Sequence, residues 1–235
     1  IEEGAVLWQS PREEDYDYDV LRGHDITIPS VNWTHTFLCH NYPLILASEC
    51  KNVRVTGGGV IRMNDAGSEN LDGVDPTTLW TGCENRIHII PIVFSYCDGV
   101  ELSDITVLRT SGYHASMKGS QHVYVGNFTG KEVVCASGDG VGLGSTKHVL
   151  VDRFTVYSND DAITLTSSYN DPRGMRWWHA TPGKDNGVFD ITVKSSHIFG
   201  GHGITFLPWG TDAPDLSKQQ IRDIEVFDCI LRGPH

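Results

Sequence analysis

Short runs of alternating apolar and polar residues recur along most of the chain. They occur in six phrases: Asn52-Val-Arg-Val-Thr-Gly, Gly99-Val-Glu-Leu-Ser-Asp-Ile-Thr-Val, His122-Val-Tyr-Val-Gly-Asn-Phe, His148-Val-Leu-Val-Asp-Arg-Phe-Thr-Val, Phe189-Asp-Ile-Thr-Val-Lys and Ile221-Arg-Asp-Ile-Glu-Val-Phe. A period of two is typical of strands that bury one face. The phrases are separated by distances in the twenties where no insertion intervenes. This spacing predicts stacked coils of about 20 to 25 residues, each with two or three short strands.

A parallel β-helix is the all-β fold that explains such a repeat. No segment of a dozen residues has the 3.6-residue period of a helix, and the strands are too short for a doubly wound α/β sheet. A β-sandwich is the alternative, but it does not account for a constant coil length. We therefore predict a single parallel β-helix domain over residues 1–235.

Two stretches interrupt the repeat and predict loops that leave the coils. The first runs from Met63 to Cys83 and is polar and rich in Gly and Asp, and the second runs from Tyr169 to Gly187 and is rich in aromatic residues and Pro. Adjacent Trp177 and Trp178 in the second stretch predict either a packed lid over the coil or a wall that stacks on sugar rings.

Composition narrows the possible partners. The formal net charge is -12 and Lys and Arg do not cluster, which argues against a nucleic-acid or anionic-membrane partner. No run reaches the roughly 18 apolar residues of a membrane-spanning helix. Six cysteines without a CxxC pair argue against a zinc or thiol redox centre, and leave both disulfides and buried thiols open. We expect a monomer without a cofactor.

The candidate chemistry lies in three segments that share one pattern. These are Asp139-Gly-Val-Gly-Leu143, Asp161-Ala-Ile-Thr-Leu165 and His202-Gly-Ile-Thr-Phe206. The apolar third and fifth residues of each are predicted to point inward, and the leading residues then stack on neighbouring coils about 4.8 Å apart. Asp160 precedes Asp161 and is expected to point differently.

Carboxylates at such spacing repel one another, which raises the pKa of at least one of them. A carboxylic acid that stays protonated near neutral pH can serve as a general acid. The alternative is that each Asp is an ordinary turn residue that caps a coil corner through local hydrogen bonds.

Three motifs then make a family resemblance specific: Ser137-Gly-Asp139-Gly, Ser158-Asn-Asp160-Asp161 and Gly201-His202-Gly203. They resemble, in order, the Asn-Thr-Asp, Gly-Asp-Asp and Gly-His-Gly motifs of the polygalacturonases, glycoside hydrolase family 28. Upstream phrases are similar as well: Asn52-Val-Arg-Val-Thr-Gly-Gly-Gly-Val-Ile61, Pro91-Ile-Val-Phe-Ser-Tyr-Cys-Asp-Gly-Val100 and Arg109-Thr-Ser-Gly-Tyr-His114.

The resemblance implies a right-handed parallel β-helix that hydrolyses glycosidic bonds with inversion and without a metal, in a secreted or periplasmic protein. It implies that Asp160 is the general acid, that Asp139 and Asp161 hold and deprotonate the attacking water, and that His202 supports the acid or holds substrate. Inversion requires roughly 6.5 to 9.5 Å between the acid and the base.

The chain departs from the family pattern in two places. Ser137 and Gly138 replace the usual Asn and Thr, and the Arg-Ile-Lys motif would follow beyond His235, so we expect terminal coils to be missing. Ser137 is a candidate for a substrate contact, and other residues are candidates as well. Loop cations that can meet a uronate carboxylate are Arg173, Arg176 and Lys184, and rings that can stack on sugars are Tyr113, His114, Trp177, Trp178 and Trp209.

The substrate class that follows is a pectic or related poly- or oligosaccharide. Two other hypotheses remain open. One is a polysaccharide lyase on the same fold, in which carboxylates bind Ca²⁺ and a basic residue abstracts a proton. The other is a carbohydrate-binding β-helix without catalysis.

Overall fold

The computed structural model describes residues 1–10, 43–63, 90–110, 112–134, 138–168, 186–209, 217 and 220–233. Within these residues the secondary structure consists of short parallel strands arranged in three sheets. The predicted parallel β-helix is confirmed, and the β-sandwich alternative is wrong. The described residues include no helix that is long and apolar enough to cross a membrane.

The strands of the three sheets alternate along the chain. Sheet 1 contains β2 (Ile45–Ser48), β5 (Ile92–Ser95), β8 (Ala115–Lys118), β11 (Val141–Gly144), β14 (Asp161–Ser168) and β17 (Gly203–Trp209). Sheet 2 contains β3 (Lys51–Val55), β6 (Asp98–Ser103), β9 (Gln121–Gly126), β12 (Lys147–Asp152), β15 (Val188–Lys194) and β18 (Ile221–Phe227). Sheet 3 contains β1 (Val6–Trp8), β4 (Val60–Arg62), β7 (Thr106–Leu108), β10 (Thr129–Lys131), β13 (Thr155–Tyr157), β16 (His197–Phe199) and β19 (Ile230–Arg232).

Each coil passes from sheet 1 to sheet 2 to sheet 3, and the next coil pairs with it in register. In sheet 1, Ser116 pairs with Gly142, which pairs with Thr164 and through it with Thr205. Because side chains alternate along a strand, this register places the flanking residues in a second, inward-facing row. The coil repeat predicted from the apolar phrases is therefore the pairing repeat of the structure.

The inward row forms one apolar core that runs along the coils. Val141, Leu143, Ile163 and Leu165 are buried, as predicted. Phe206 occupies the matching position on β17 but is 52% exposed, because β17 is the edge strand of sheet 1 among the described residues. Inward register alone therefore does not bury a side chain, since burial also requires a covering coil.

Residues with positive φ mark the corners and one position inside sheet 2. Between sheets 1 and 2 they are Glu49, Tyr96, Gly119 and Ser145, and between sheets 2 and 3 they are Asp104, Asn127, Arg153, Ser195 and Asp228. Left-handed backbone is tolerated best by Gly, Asn and Asp. Its repetition at equivalent points shows that one turn conformation recurs from coil to coil at each of these two corners.

A hydroxyl or thiol follows the positive-φ residue at the corner between sheets 1 and 2. Cys50, Cys97, Ser120 and Thr146 each donate to the carbonyl oxygen two residues earlier. The same bond forms at the next corner from Ser196 and Cys229. Cys50, Cys97 and Cys229 are free thiols, so these cysteines act as corner donors, while Cys39, Cys83 and Cys135 lie outside the described residues.

The first predicted loop begins later than the sequence indicates. Met63 is fully buried in the core and its backbone N–H donates to the carbonyl of Leu108, so it belongs to the coil. At the end of the second predicted loop, Asn186 is buried as well. The remainder of both loops lies outside the described residues.

We predict that Phe154→Ala lowers the free energy of unfolding by about 3–5 kcal/mol, because its fully buried ring stacks on Phe128 with centroids 5.7 Å apart. Urea unfolding measures the change. The control is Tyr157→Ala, which removes a 44% exposed ring stacked on Phe199 and should cost at most about 1.5 kcal/mol. Equal losses would contradict the prediction.

Candidate active site

The predicted carboxylates and imidazole meet at the entrance to sheet 1. Asp139 lies just before β11, Asp160 and Asp161 lie at the start of β14, and His202 lies just before β17. These strands belong to three consecutive coils and are paired side by side. The parallel pairing therefore brings together groups that are far apart in the sequence.

A β-bulge adjusts the register at His202. Asp161 pairs with Gly203, whereas Ile163 pairs with Ile204, so the direct alignment of Asp161 with His202 expected from the sequence is wrong by one residue. The imidazole consequently reaches both acidic residues of the previous coil. Its Nδ1 lies 2.7 Å from Asp160 Oδ1 and 3.1 Å from Asp161 Oδ1.

Backbone contacts fix Asp139 against Asp161. The backbone N–H of Asp161 donates to Asp139 Oδ1 at 3.0 Å, and the N–H of Gly140 donates to the Asp161 carbonyl at 2.8 Å. A Cβ at Gly140 would lie only 2.0 Å from the carbonyl oxygen of Ala162. Glycine after Asp139 is thus what allows the two coils to approach closely at this point.

Burial and like charge perturb the acidic groups. Burial, followed by the charges of Asp160 and Asp161, raises the pKa of Asp139 from 3.8 to about 8. Burial and the Asp161 charge also raise the pKa of Asp160, while the charge of Asp160 is the largest cause that raises the pKa of His202. The cluster therefore retains an acidic proton at neutral pH.

Tyr113 connects to this cluster through its hydroxyl group. The phenol forms hydrogen bonds with Asp139 and with Thr164, and burial raises its pKa well above the usual value, so it remains a neutral donor. Lys118 Nζ lies 5.6 Å from the centre of the Tyr113 ring. Tyr113 therefore supports a carboxyl group, and its stacking on a sugar stays a prediction.

His114 does not occupy the place that the sequence suggested. It is fully buried, with Nδ1 3.0 Å from the Asp139 carbonyl oxygen and Nε2 3.4 Å from that of Lys131. Burial lowers its pKa to about 4, so the ring is neutral. The prediction that His114 stacks on a sugar face is wrong, because neither ring face reaches the surface.

The remaining substrate-contact predictions stay untested. The backbone of Trp209 ends β17 and pairs with Ser168. The other candidates lie outside the described residues: Ser137, Arg173, Arg176, Trp177, Trp178 and Lys184.

Sequence reasoning missed three polar residues that the structure places next to the acids. Thr205 Oγ1 donates to Asp161 Oδ1 at 2.5 Å, Thr164 contacts Tyr113, and Lys118 is buried beside the same ring. All three lie on the outward-facing register of sheet 1. Polar residues that alternate with the inward apolar row were therefore the available indication.

Asp160, Asp161 and His202 also have the composition of a cation site. One potential ligand atom from each lies within 4.8 Å of the others. Carboxylate oxygens and an imidazole nitrogen are common ligands of divalent metals. Among the described residues, these three are therefore the ones that would bind a divalent cation at the acidic cluster.

Comparison with known proteins identifies the family. The family model of glycosyl hydrolases family 28 matches residues 22–234. The chain belongs to this family. No curated protein matches the chain at a significant level.

Two solved structures share the fold of this family 28 chain. A hyperthermoactive exopolygalacturonase from Thermotoga maritima is 16% identical with a TM-score of 0.56, and the match covers 80% of this chain and 46% of that one. A family 28 exopolygalacturonase from Yersinia enterocolitica is 13% identical with a TM-score of 0.54, covering 99% and 56% respectively. The chain thus spans about half the length of these enzymes.

We predict that the stability of the protein falls as pH rises from about 4 to about 8, because folded Asp139 keeps a proton that the unfolded chain releases near 3.8. The contribution of one such group has a slope of up to about 1.4 kcal/mol per pH unit. Asp139→Asn removes it, so the variant should gain stability relative to the parent protein as pH increases.

Urea unfolding across this pH range measures the difference. Asp104→Asn is the control, because Asp104 is exposed at a positive-φ corner that Asn tolerates. A pH-independent difference between Asp139→Asn and the parent protein would contradict the prediction.

Proposed function

We propose that the protein hydrolyses a glycosidic bond of a pectic or related glycan by acid–base catalysis. The observation that carries this proposal is the assembly of Asp139, Asp160, Asp161 and His202 on three paired coils, where one acidic proton is retained at neutral pH. Glycoside hydrolysis requires a protonated and an ionised carboxyl group at one place. Membership of family 28 supports the same chemistry.

Asp160 is the proposed proton donor. Its side chain is 28% exposed, compared with 11% for Asp161, so it is the more accessible of this adjacent pair to the leaving oxygen of a bound glycan. Its pKa is raised by burial and by Asp161, which favours the protonated form. His202 contacts the same carboxyl at 2.7 Å and is proposed to orient it.

Asp161 is the proposed acceptor of the proton from water. Its Oδ1 accepts from Thr205 at 2.5 Å and lies 3.1 Å from His202, and such donors stabilise a carboxylate. Asp139, held by the Asp161 backbone N–H and by Tyr113, is proposed to position the water. The alternative assignment, in which Asp139 and not Asp160 is the acid, rests on the raised pKa of Asp139.

The substrate class follows from the family and from local charge. Lys118, at the outward face of sheet 1 beside Tyr113, is a candidate partner for a uronate carboxylate, and the predicted loop cations Arg173, Arg176 and Lys184 would add to it. Pectic polymers are too large to enter a cell, so we propose that the protein acts after secretion.

We predict that Asp160→Asn lowers kcat by about 10²- to 10⁴-fold on a pectic oligosaccharide without loss of folding, because it removes general acid catalysis. Reducing-end assays measure the rate, and Asp228→Asn, an exposed corner residue, is the matched control. An Asp160→Asn variant as active as this control would refute the assignment.

An aryl glycoside of the same sugar separates the two role assignments. Its phenolate leaving group needs little protonation, so replacement of the acid should cost much less on this substrate than on the oligosaccharide. We expect Asp160→Asn to recover on the aryl substrate and Asp139→Asn to remain impaired. The opposite result would assign the acid to Asp139.

Product analysis distinguishes hydrolysis from the lyase hypothesis. The lyase is the alternative to test because Asp160, Asp161 and His202 could bind a cation. We predict saturated products, an inverted first-formed anomer by ¹H NMR, and full activity after treatment with EDTA. Unsaturated products lost with EDTA would favour a lyase, a retained anomer would contradict inversion, and binding without turnover would favour a carbohydrate-binding protein.

A further inference from the structure

A row of four polar side chains crosses the outer face of sheet 2, on a different sheet from the acidic cluster. Asp98, His122, His148 and Asp190 lie on the consecutive strands β6, β9, β12 and β15. His122 Nδ1 is 2.7 Å from Asp98 Oδ1, and His148 Nδ1 is 2.7 Å from Asp190 Oδ2. Two imidazoles are thus flanked by two carboxylates, and Asp98 lies one residue before the register position that the other three share.

The flanking carboxylates determine which ring nitrogen is available. An ionised carboxylate only accepts, so each Nδ1 carries the hydrogen that it donates and each neutral ring keeps its lone pair on Nε2. This is the arrangement by which carboxylates orient metal-binding histidines.

The two rings are stacked and open to solvent. Their centroids are 5.0 Å apart with an interplanar angle of 12°, and their side chains are 60% and 41% exposed for His122 and His148. Within the described part of the chain, the hydrogen bonds of both rings are made by Nδ1, and none is made by Nε2.

The backbone holds both rings in place. His122 and His148 have φ of 53° and 54° and occupy the position at which the register of sheet 2 skips one residue per strand. The adjacent residues Gln121 and Lys147 pair directly with each other. The repeated left-handed backbone conformation at this position, together with side-chain packing, therefore stacks the imidazoles on neighbouring coils.

We propose that His122 and His148 bind one divalent late transition metal ion, such as Cu²⁺, Ni²⁺ or Zn²⁺, through Nε2, with Asp98 and Asp190 as orienting partners. Metal–nitrogen distances of about 2.0–2.1 Å require the two Nε2 atoms to lie within about 4 Å of each other. Because the stacked rings are nearly parallel, each ring must rotate towards the other for both lone pairs to meet one ion, and water completes the coordination. Imidazole ligands suit these metals better than Mg²⁺ or Ca²⁺.

Nearby cations limit the affinity of the site. Lys147 Nζ lies 5.1 Å from the centre of the Phe189 ring, and that ring packs edge-on against His148 at 5.6 Å. The guanidinium of Arg222 covers the same ring at 4.2 Å. The metal therefore binds against some positive charge, compensated by Asp98 and Asp190.

Zn²⁺ titration by calorimetry near pH 7.5 tests the proposal on the full chain. Each of His122→Gln and His148→Gln should remove one equivalent of binding, and Asp98→Asn should weaken that equivalent by about 10- to 100-fold. His197→Gln, another exposed histidine on the neighbouring sheet 3, is the matched control and should bind as the parent does.

The variant His202→Gln distinguishes Zn²⁺ binding at the acidic cluster from binding at this site. It should leave the equivalent of Zn²⁺ bound by His122 and His148 unchanged. The unfolding temperature provides a second measurement. An ion bound by His122 on β9 and His148 on β12 binds only the folded state and stabilises it by mass action. Zn²⁺ should raise the unfolding temperature of the parent protein but not of His148→Gln. A double variant, His122→Gln with His148→Gln, that binds Zn²⁺ like the parent would overturn the proposal.

Discussion

In-register parallel pairing between successive coils is the constraint on which the rest of the molecule depends. Each strand repeats the position of the strand before it, so every row of side chains along the axis has one orientation. Inward rows merge into a continuous core, and outward rows become columns of neighbouring groups. A polar column on sheet 1 thereby becomes the candidate active site, and another on sheet 2 becomes the histidine row.

The same pairing forces acidic groups together against their electrostatic repulsion. The backbone bonds between the coils of Asp139 and Asp161 hold their positions, and glycine at position 140 allows the two coils to approach closely. Burial, followed by the charges of Asp160 and Asp161, raises the pKa of Asp139 to about 8, which favours its protonated form at neutral pH. Strand pairing thus keeps a protonated carboxyl group beside two other acidic residues.

Much of this arrangement could be predicted from sequence because strand periodicity is local. The apolar rows at Val141 and Ile163 gave the register of sheet 1, and the motifs around Asp139, Asp160 and His202 placed them on adjacent coils. The bulge at Ala162 could not be predicted, since it changes pairing without changing the apolar pattern. His114 was misassigned because its environment is built by carbonyl groups, which the identities of side chains do not reveal.

The positive-φ residues inside sheet 2 form a row on its outer face, next to residues of the core. Asn52, Gly99, His122, His148, Asp190 and Asp223 all have positive φ there. Each such residue precedes an inward residue of the core, as His122 precedes Val123 and His148 precedes Val149. Exchanges among residues that tolerate left-handed backbone, such as Asn, Asp, Gly and His, can therefore change the chemistry of this surface while the core sequence stays fixed.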